Sequence, residues 1–394
     1  MKSKLLFALL TFTLLFSACV TEYHAILSKN TRVLFVDGSI IENTEATFYI
    51  TQSFPLNVSG IPSEAFVNDA ILQIIDSNGN VSEPAISLGR GAYRIRIGEL
   101  DANVEYGIRI ERDGEIFLST LSRPLITPEI DSISFRQNSN GTVSIHVSTH
   151  DDTGDARFFL WNYVEDWEIR AFMPTSIFFN PQNREFYLDS SYPFQRCWKH
   201  HNSDRFLLGS TEALSENRLI NHQLYEHSVE DDRFSRLHSI LVTQRAISRG
   251  AYEFFENLRQ QNEGMGGIFT PQPTEVLGNI RNTTNPEQRV LGYVGVVKNI
   301  SQKRFFLDAG SINRPPIDRS CNRVFLSGEG GLTILPPEEN ARLYESGLRP
   351  SRLHAPSLDG GRILPAEWAL IHCTDCREMG GTLERPDFWP GGDW

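Results

Sequence analysis

After the first twenty residues, no stretch approaches the roughly 20 consecutive apolar residues that a membrane-spanning helix needs. The bulk of the chain is therefore expected to be soluble. Basic residues are in deficit: 37 Lys and Arg against 49 Asp and Glu leave a net charge of −12. That balance excludes a general basic surface for nucleic acid, and it argues against purely electrostatic docking on anionic lipid. There is no HExxH, no GxSxG, no phosphate-cradling Gly loop and no dinucleotide fingerprint. These gaps lower the expectation of an enzyme. They leave no catalytic residue, no metal ligand and no cofactor to assign. No repeat of fixed period is visible, which argues against a repeat architecture.

The N-terminus carries a strong signal. Lys2 and Lys4 precede an apolar run from Leu5 to Phe16, and small Ser17 and Ala18 lead to Cys19. That order matches a secretory signal. Phe16-Ser17-Ala18-Cys19 resembles the bacterial lipobox, with Phe16 where Leu is more usual. Residues 1–18 are expected to be removed, Cys19 to be lipidated, and 19–30 to form a tether. The run is too short for a retained membrane helix. The whole chain's composition is that of a folded protein, 22% charged and 40% apolar, and the length left after residue 18 suggests two or three domains.

A mainly β chain is expected. Residues 31–127 read as an immunoglobulin-like β-sandwich. Tyr93-Arg94-Ile95-Arg96-Ile97 alternates as a half-buried strand does. Tyr106–Ile110 and Glu115–Leu118 flank Arg112-Asp113-Gly114 as a hairpin. Leu100 to Tyr106 resembles the tyrosine corner of such sandwiches. Pro124 and Pro128 mark a stiff boundary, after which residues 128–394 read as a larger β-rich domain with at least one helix and a Cys-containing tail. Within it, Ser239–Ile247 and Leu291–Val297 are strand-like. Ser248 is placed to cap a helix carrying Ala251, Phe254, Phe255 and Leu258 at helical spacing.

Beyond Cys19, four cysteines remain: Cys197, Cys321, Cys373 and Cys376. An even number in an exported chain points to two disulfides. Three pairings are open, and long links from Cys197 and Cys321 to the C-terminal pair are favoured over a local Cys373–Cys376 loop. Zinc binding through His372 and the CxxC, or a redox dithiol, are the alternatives. Cys197-Trp198-Lys199-His200-His201 places imidazoles beside a thiol, but adjacent side chains on a strand face opposite ways. His146 and His150 lie too far apart along a strand for one ion. Asp151-Asp152-Thr153-Gly154-Asp155 reads as a solvated loop with a weak capacity for calcium. Trp161, Tyr163 and Trp167 alternate onto one strand face, where they form either a binding platform or a packing surface.

More specific strings appear after Arg196. They include Arg196-Cys197-Trp198-Lys199, Ala251-Tyr252-Glu253-Phe254-Phe255-Glu256-Asn257-Leu258 and Phe269-Thr270-Pro271-Gln272-Pro273-Thr274-Glu275-Val276. Leu291-Gly292-Tyr293-Val294-Gly295 and Pro386-Asp387-Phe388-Trp389 follow. With the lipobox and the sandwich-like first half, the chain resembles the domain-of-unknown-function 4249 family, lipoproteins of the Bacteroidota. The resemblance implies an outer-membrane lipoprotein, often encoded beside TonB-dependent receptors. It implies no activity. The expected role is an accessory or substrate-binding partner of a TonB-dependent transporter, held at the outer membrane by its lipid. An extracytoplasmic hydrolase or metalloenzyme, and a structural or adhesive envelope protein, are the other readings.

Overall fold

The computed structural model describes residues 33–54, 60–264, 278–315, 321, 323–328, 331–353 and 363–391. Cys19, the signal segment, the tether and the Phe269–Val276 string lie outside the described residues. The fold is mainly β, with two β-sandwiches and a smaller β-rich tail.

In the first sandwich, the strand Glu45–Gln52 alternates strictly, turning Ala46, Phe48, Ile50 and Gln52 inward. Its five-stranded sheet faces a second sheet of four strands that includes Ile71–Asp76, Tyr106–Arg112 and Glu115–Ser119. The two sheets close over Phe48, Ile50, Leu72, Tyr93, Ile108 and Ile110. The hairpin turns at Asp113 and Gly114, both at positive φ, as the right-handed strand twist favours. The tyrosine corner is present: the backbone N–H of Asp101 donates to the Tyr106 hydroxyl at 2.9 Å.

The boundary at residue 127 is not where this sandwich ends. Ile280–Asn282 joins its four-stranded sheet beside Glu115–Ser119, and Val290–Gly292 pairs parallel with Leu34–Asp37 in the other. Gly295–Val297 runs parallel to Ser39–Ile41. Ile280, Val290, Val294 and Val296 belong to the same core. The expected single strand over Leu291–Val297 is thus two strands in two sheets. Gly292 makes the break at φ 147°, packed so closely that a β-carbon there would collide with the Val36 carbonyl.

The linker is likewise pinned. Leu125 N–H donates to Val296 O at 3.0 Å, and Lys298 N–H donates to Leu125 O at 2.8 Å. Asn299 exchanges two bonds with the Thr127 backbone, at 2.9 and 2.7 Å.

The second sandwich packs Ile130–Gln137, Thr142–His150 and Arg218–Ser228 against a sheet centred on Phe158–Arg170 and Leu237–Ile247. Its core holds Val143, Ile145, Val147, Trp161, Ile240 and Val242. Helix Arg249–Gly264 follows, with the Ser248 hydroxyl accepting from Ala251 N–H at 3.2 Å. In the tail, Arg323–Phe325, Pro365–Leu370 and Leu348–Leu353 form a small sheet around Trp368, with helix Pro337–Glu345 alongside. Among the described residues, no helix is long and apolar enough to cross a membrane.

Candidate functional site

The strand Phe158–Arg170 lies in the middle of its sheet, between Leu237–Ile247 on one side and Arg196–Asn202 and Leu207–Ser210 on the other. It carries the three aromatics that alternation places on one face. They do share that face, but it is the inner one: Trp161, Tyr163 and Trp167 are 0%, 5% and 5% exposed. They therefore form no binding platform. Each ring is committed. Trp161 Nε1–H donates to Gln244 Oε1 at 2.8 Å. Tyr163 stacks on Tyr225 with centroids 3.9 Å apart. Trp167 Nε1–H donates to Asp232 Oδ1 at 2.9 Å, and the Arg233 guanidinium lies over the Trp167 ring.

The same face contains Glu165, between Tyr163 and Trp167, and its side chain is fully buried. His238 Nε2 approaches Oε1 at 3.1 Å and His227 Nε2 at 3.3 Å, without hydrogen-bond alignment, while Arg233 Nε–H donates to Oε2 at 3.1 Å. Burial pushes the carboxyl pKa up. The two imidazoles pull harder, and the net result is well below the usual carboxylate range. Tyr163 is pushed up to about 12 by burial and by the Glu165 charge. Tyr225 is raised by the same causes in the same order, so both phenols stay protonated beside the carboxylate.

The opposite face repeats the arrangement. Asp166 accepts from His200 Nδ1 at 2.7 Å, and Glu168 accepts from Arg170 Nε at 2.7 Å and Arg196 Nη2 at 2.8 Å. Three buried carboxylates thus stand within four residues of one strand. Each is held by its own basic partners: Arg233 on Glu165, His200 on Asp166, and Arg170 and Arg196 on Glu168. The clue in the sequence is an acidic residue interrupting the 161, 163, 167 alternation. His200 and His201 point apart, His200 to Asp166 and His201 towards Tyr163. In the Asp151 loop the carboxylate turns inward and accepts from Thr153 N–H at 3.0 Å and Ala156 N–H at 2.8 Å, as a turn-forming aspartate does. Among the described residues, no group of three or more His, Cys, Asp or Glu side chains is arranged to hold a metal ion.

All four described cysteines are joined, Cys197 to Cys376 and Cys321 to Cys373, with Cα atoms 5.7 and 6.3 Å apart. The CxxC therefore divides its thiols between two distant partners, which leaves no local dithiol and no thiolate pair for zinc. The bonds span separations of 179 and 52 residues; Cys197–Cys376 fastens the tail to the second sandwich, and Cys321–Cys373 closes a loop within the tail.

A concave site lies where the two sandwiches meet, under the first turn of helix Arg249–Gly264. A cavity of about 230 Å³ opens there between Leu125, Leu160, Phe255 and Val296, bounded also by Arg245 and Tyr293. It is somewhat smaller than the roughly 300–1,000 Å³ of drug-sized pockets, and it has the mostly apolar walls and few polar groups of a ligand site. Motif reading did not locate it, because its walls come from chain segments more than 100 residues apart.

A family model described as "Domain of unknown function (DUF4249)" matches residues 20–303. The chain belongs to this family. Every wall of the cavity and the whole Glu165 cluster lie inside the DUF4249 match, whereas Cys321, Cys373 and Cys376 lie beyond it. Both disulfides of this DUF4249 chain therefore depend on its C-terminal tail. No curated protein matches the sequence. One similar solved chain is described as "Cytokine receptor complex - Crystal form 2". It is 9% identical, with 55% of this chain and 92% of that one covered, at a TM-score of 0.18. A likeness at that level carries no argument about function.

Proposed function

We propose that this DUF4249 chain is a lipid-anchored outer-membrane protein that binds a small ligand and assists a TonB-dependent transporter. The observation that carries the binding role is the preformed cavity between the two sandwiches, which lies apart from the ion-paired carboxylates Glu165 and Glu168. Binding needs concavity and a few polar groups, and this cavity supplies both. The lipobox ending at Cys19 supports the anchor, and two buried disulfides fit an oxidising compartment outside the cytoplasm. An anchor confines the protein to two dimensions, so even a weak contact with a membrane barrel becomes frequent.

Two experiments test this. Cys19→Ser is expected to abolish palmitate labelling and release the protein from the membrane fraction; equal labelling of both forms would refute the anchor. Cross-linking in intact cells is expected to capture an outer-membrane barrel. Capture of no barrel, together with substrate turnover by the purified protein, would replace this reading with an enzymatic one.

A further inference from the structure

The cavity between the sandwiches is mostly apolar, and the charged residues among its described walls, Arg123 and Arg245, are cationic. Arg245, from the strand Leu237–Ile247, projects between the two sandwiches. Its Nη1–H donates to Ser39 Oγ at 3.0 Å and its Nη2–H to Asn162 Oδ1 at 3.3 Å, both neutral acceptors. Arg123 also lines the cavity and is exposed. Among the described residues, neither arginine has a carboxylate within ion-pair distance. Among the described residues no Asp or Glu lines the cavity, in a chain that is acidic overall. The third contribution is the start of helix Arg249–Gly264: Ser248 and Ala251 form part of the wall, so the first turn of a 16-residue helix, its partly positive end, borders the same space.

We infer that this cavity takes a small amphiphile with one carboxylate, its head at Arg245 and its apolar body against Leu125, Leu160, Phe255 and Val296. A half-buried guanidinium answered only by a hydroxyl and an amide keeps unused capacity for a charge-assisted bond. Burial pushes the Arg245 pKa down, with Asp37 opposing from a distance, and an arriving carboxylate would offset that burial cost. A neighbouring cavity of about 470 Å³ shares Arg245, Leu160 and Phe255 but is also lined by Asp37 and Glu45. Those carboxylates repel an anion, which places the head on the smaller cavity's side. The inference rests on the binding role proposed above and specifies its ligand class.

The test is calorimetric titration of the full chain carrying Cys19→Ser with octanoate and, separately, with octanol. Octanoate is expected to bind one to one and at least about tenfold more tightly than octanol. Arg245→Met should abolish that preference while leaving octanol binding unchanged. Arg123→Ala, at an exposed position, should weaken octanoate severalfold and keeps the test decisive where Arg245→Met does not fold. Equal affinity for octanoate and octanol, or no octanoate binding at low millimolar concentration, would overturn the inference. Barrel capture in cells is read independently, so its success alongside a failed titration would remove only the ligand assignment.

Discussion

Glu165 occupies a position that the alternation Trp161, Tyr163, Trp167 reserves for an apolar side chain, and its neighbours bear the consequence. Removing its charge would leave Arg233 and the fully buried His238 facing a neutral amide. Glu165→Gln is therefore expected to cost about 3–5 kcal/mol, measured by urea denaturation at pH 7. An effect within experimental error would mean that Arg233 and His238 do not depend on the carboxylate's charge. The sequence revealed which residues share this face but not which way the face points, because alternation is the same for an inner and an outer surface.

Histidines on the same sandwich set a pH response. Burial, the largest cause for both His146 and His222, pushes their pKa below the ordinary 6.5. A depressed folded pKa means that the unfolded chain takes up protons first as pH falls. The stability from keeping the rings neutral is thus complete above about pH 6.5 and is lost as pH falls towards the folded values. Glu165 has the same sign in a lower window: its contribution is complete above 4.5 and is lost as pH falls through its folded pKa. Urea midpoints should accordingly be flat from pH 8 to 7 and decline below about 6.5. His222→Gln should remove part of that first decline, and a decline unaltered by the substitution would show that His222 is not its source.

At the scale of elements, the legible features were those fixed by local chemistry. The Asp113-Gly114 hairpin, the Tyr106 corner and the Ser248-capped helix depend on a few adjacent residues, and all three form as read. Strand partnership was not legible, since a three-residue strand such as Val290–Gly292 records nothing of Leu34–Asp37, over 250 residues earlier. The disulfides are intermediate: spacing and compartment pointed to long links, and packing decided which. Cys197→Ser with Cys376→Ser is expected to destabilise by about 2–4 kcal/mol. The tail should then become the first site of limited proteolysis, because the Cys197–Cys376 link also anchors the contact of Trp198 with the backbone of Thr382. Unchanged stability and an unchanged digestion pattern would show that packing alone holds the tail.

For the whole molecule, the order of segments along the chain conceals how the domains are built. The first sandwich reads as contiguous over 31–127, because each of its hairpins closes locally. Yet both of its sheets receive a strand from beyond residue 279, and the core includes Ile280, Val290, Val294 and Val296. Without those segments, Leu34–Asp37 and Glu115–Ser119 become open edges, and the apolar contacts of Val36, Ile40 and Phe117 lose one side. Residues 31–127 expressed alone are therefore expected to remain unfolded or to aggregate. A chain that follows them, through a short flexible linker, with residues 278–298 should fold. Proton–nitrogen correlation spectra distinguish the two: narrow amide dispersion for the first, wide dispersion for the second. A well-dispersed spectrum from 31–127 alone would mean that the returning strands decorate the sandwich instead of completing it. The cavity would then lie between two independently folded bodies. If the returning strands do complete the sandwich, Val296 belongs at once to the first core and to the cavity wall, and the sandwiches cannot separate without dismantling the binding site.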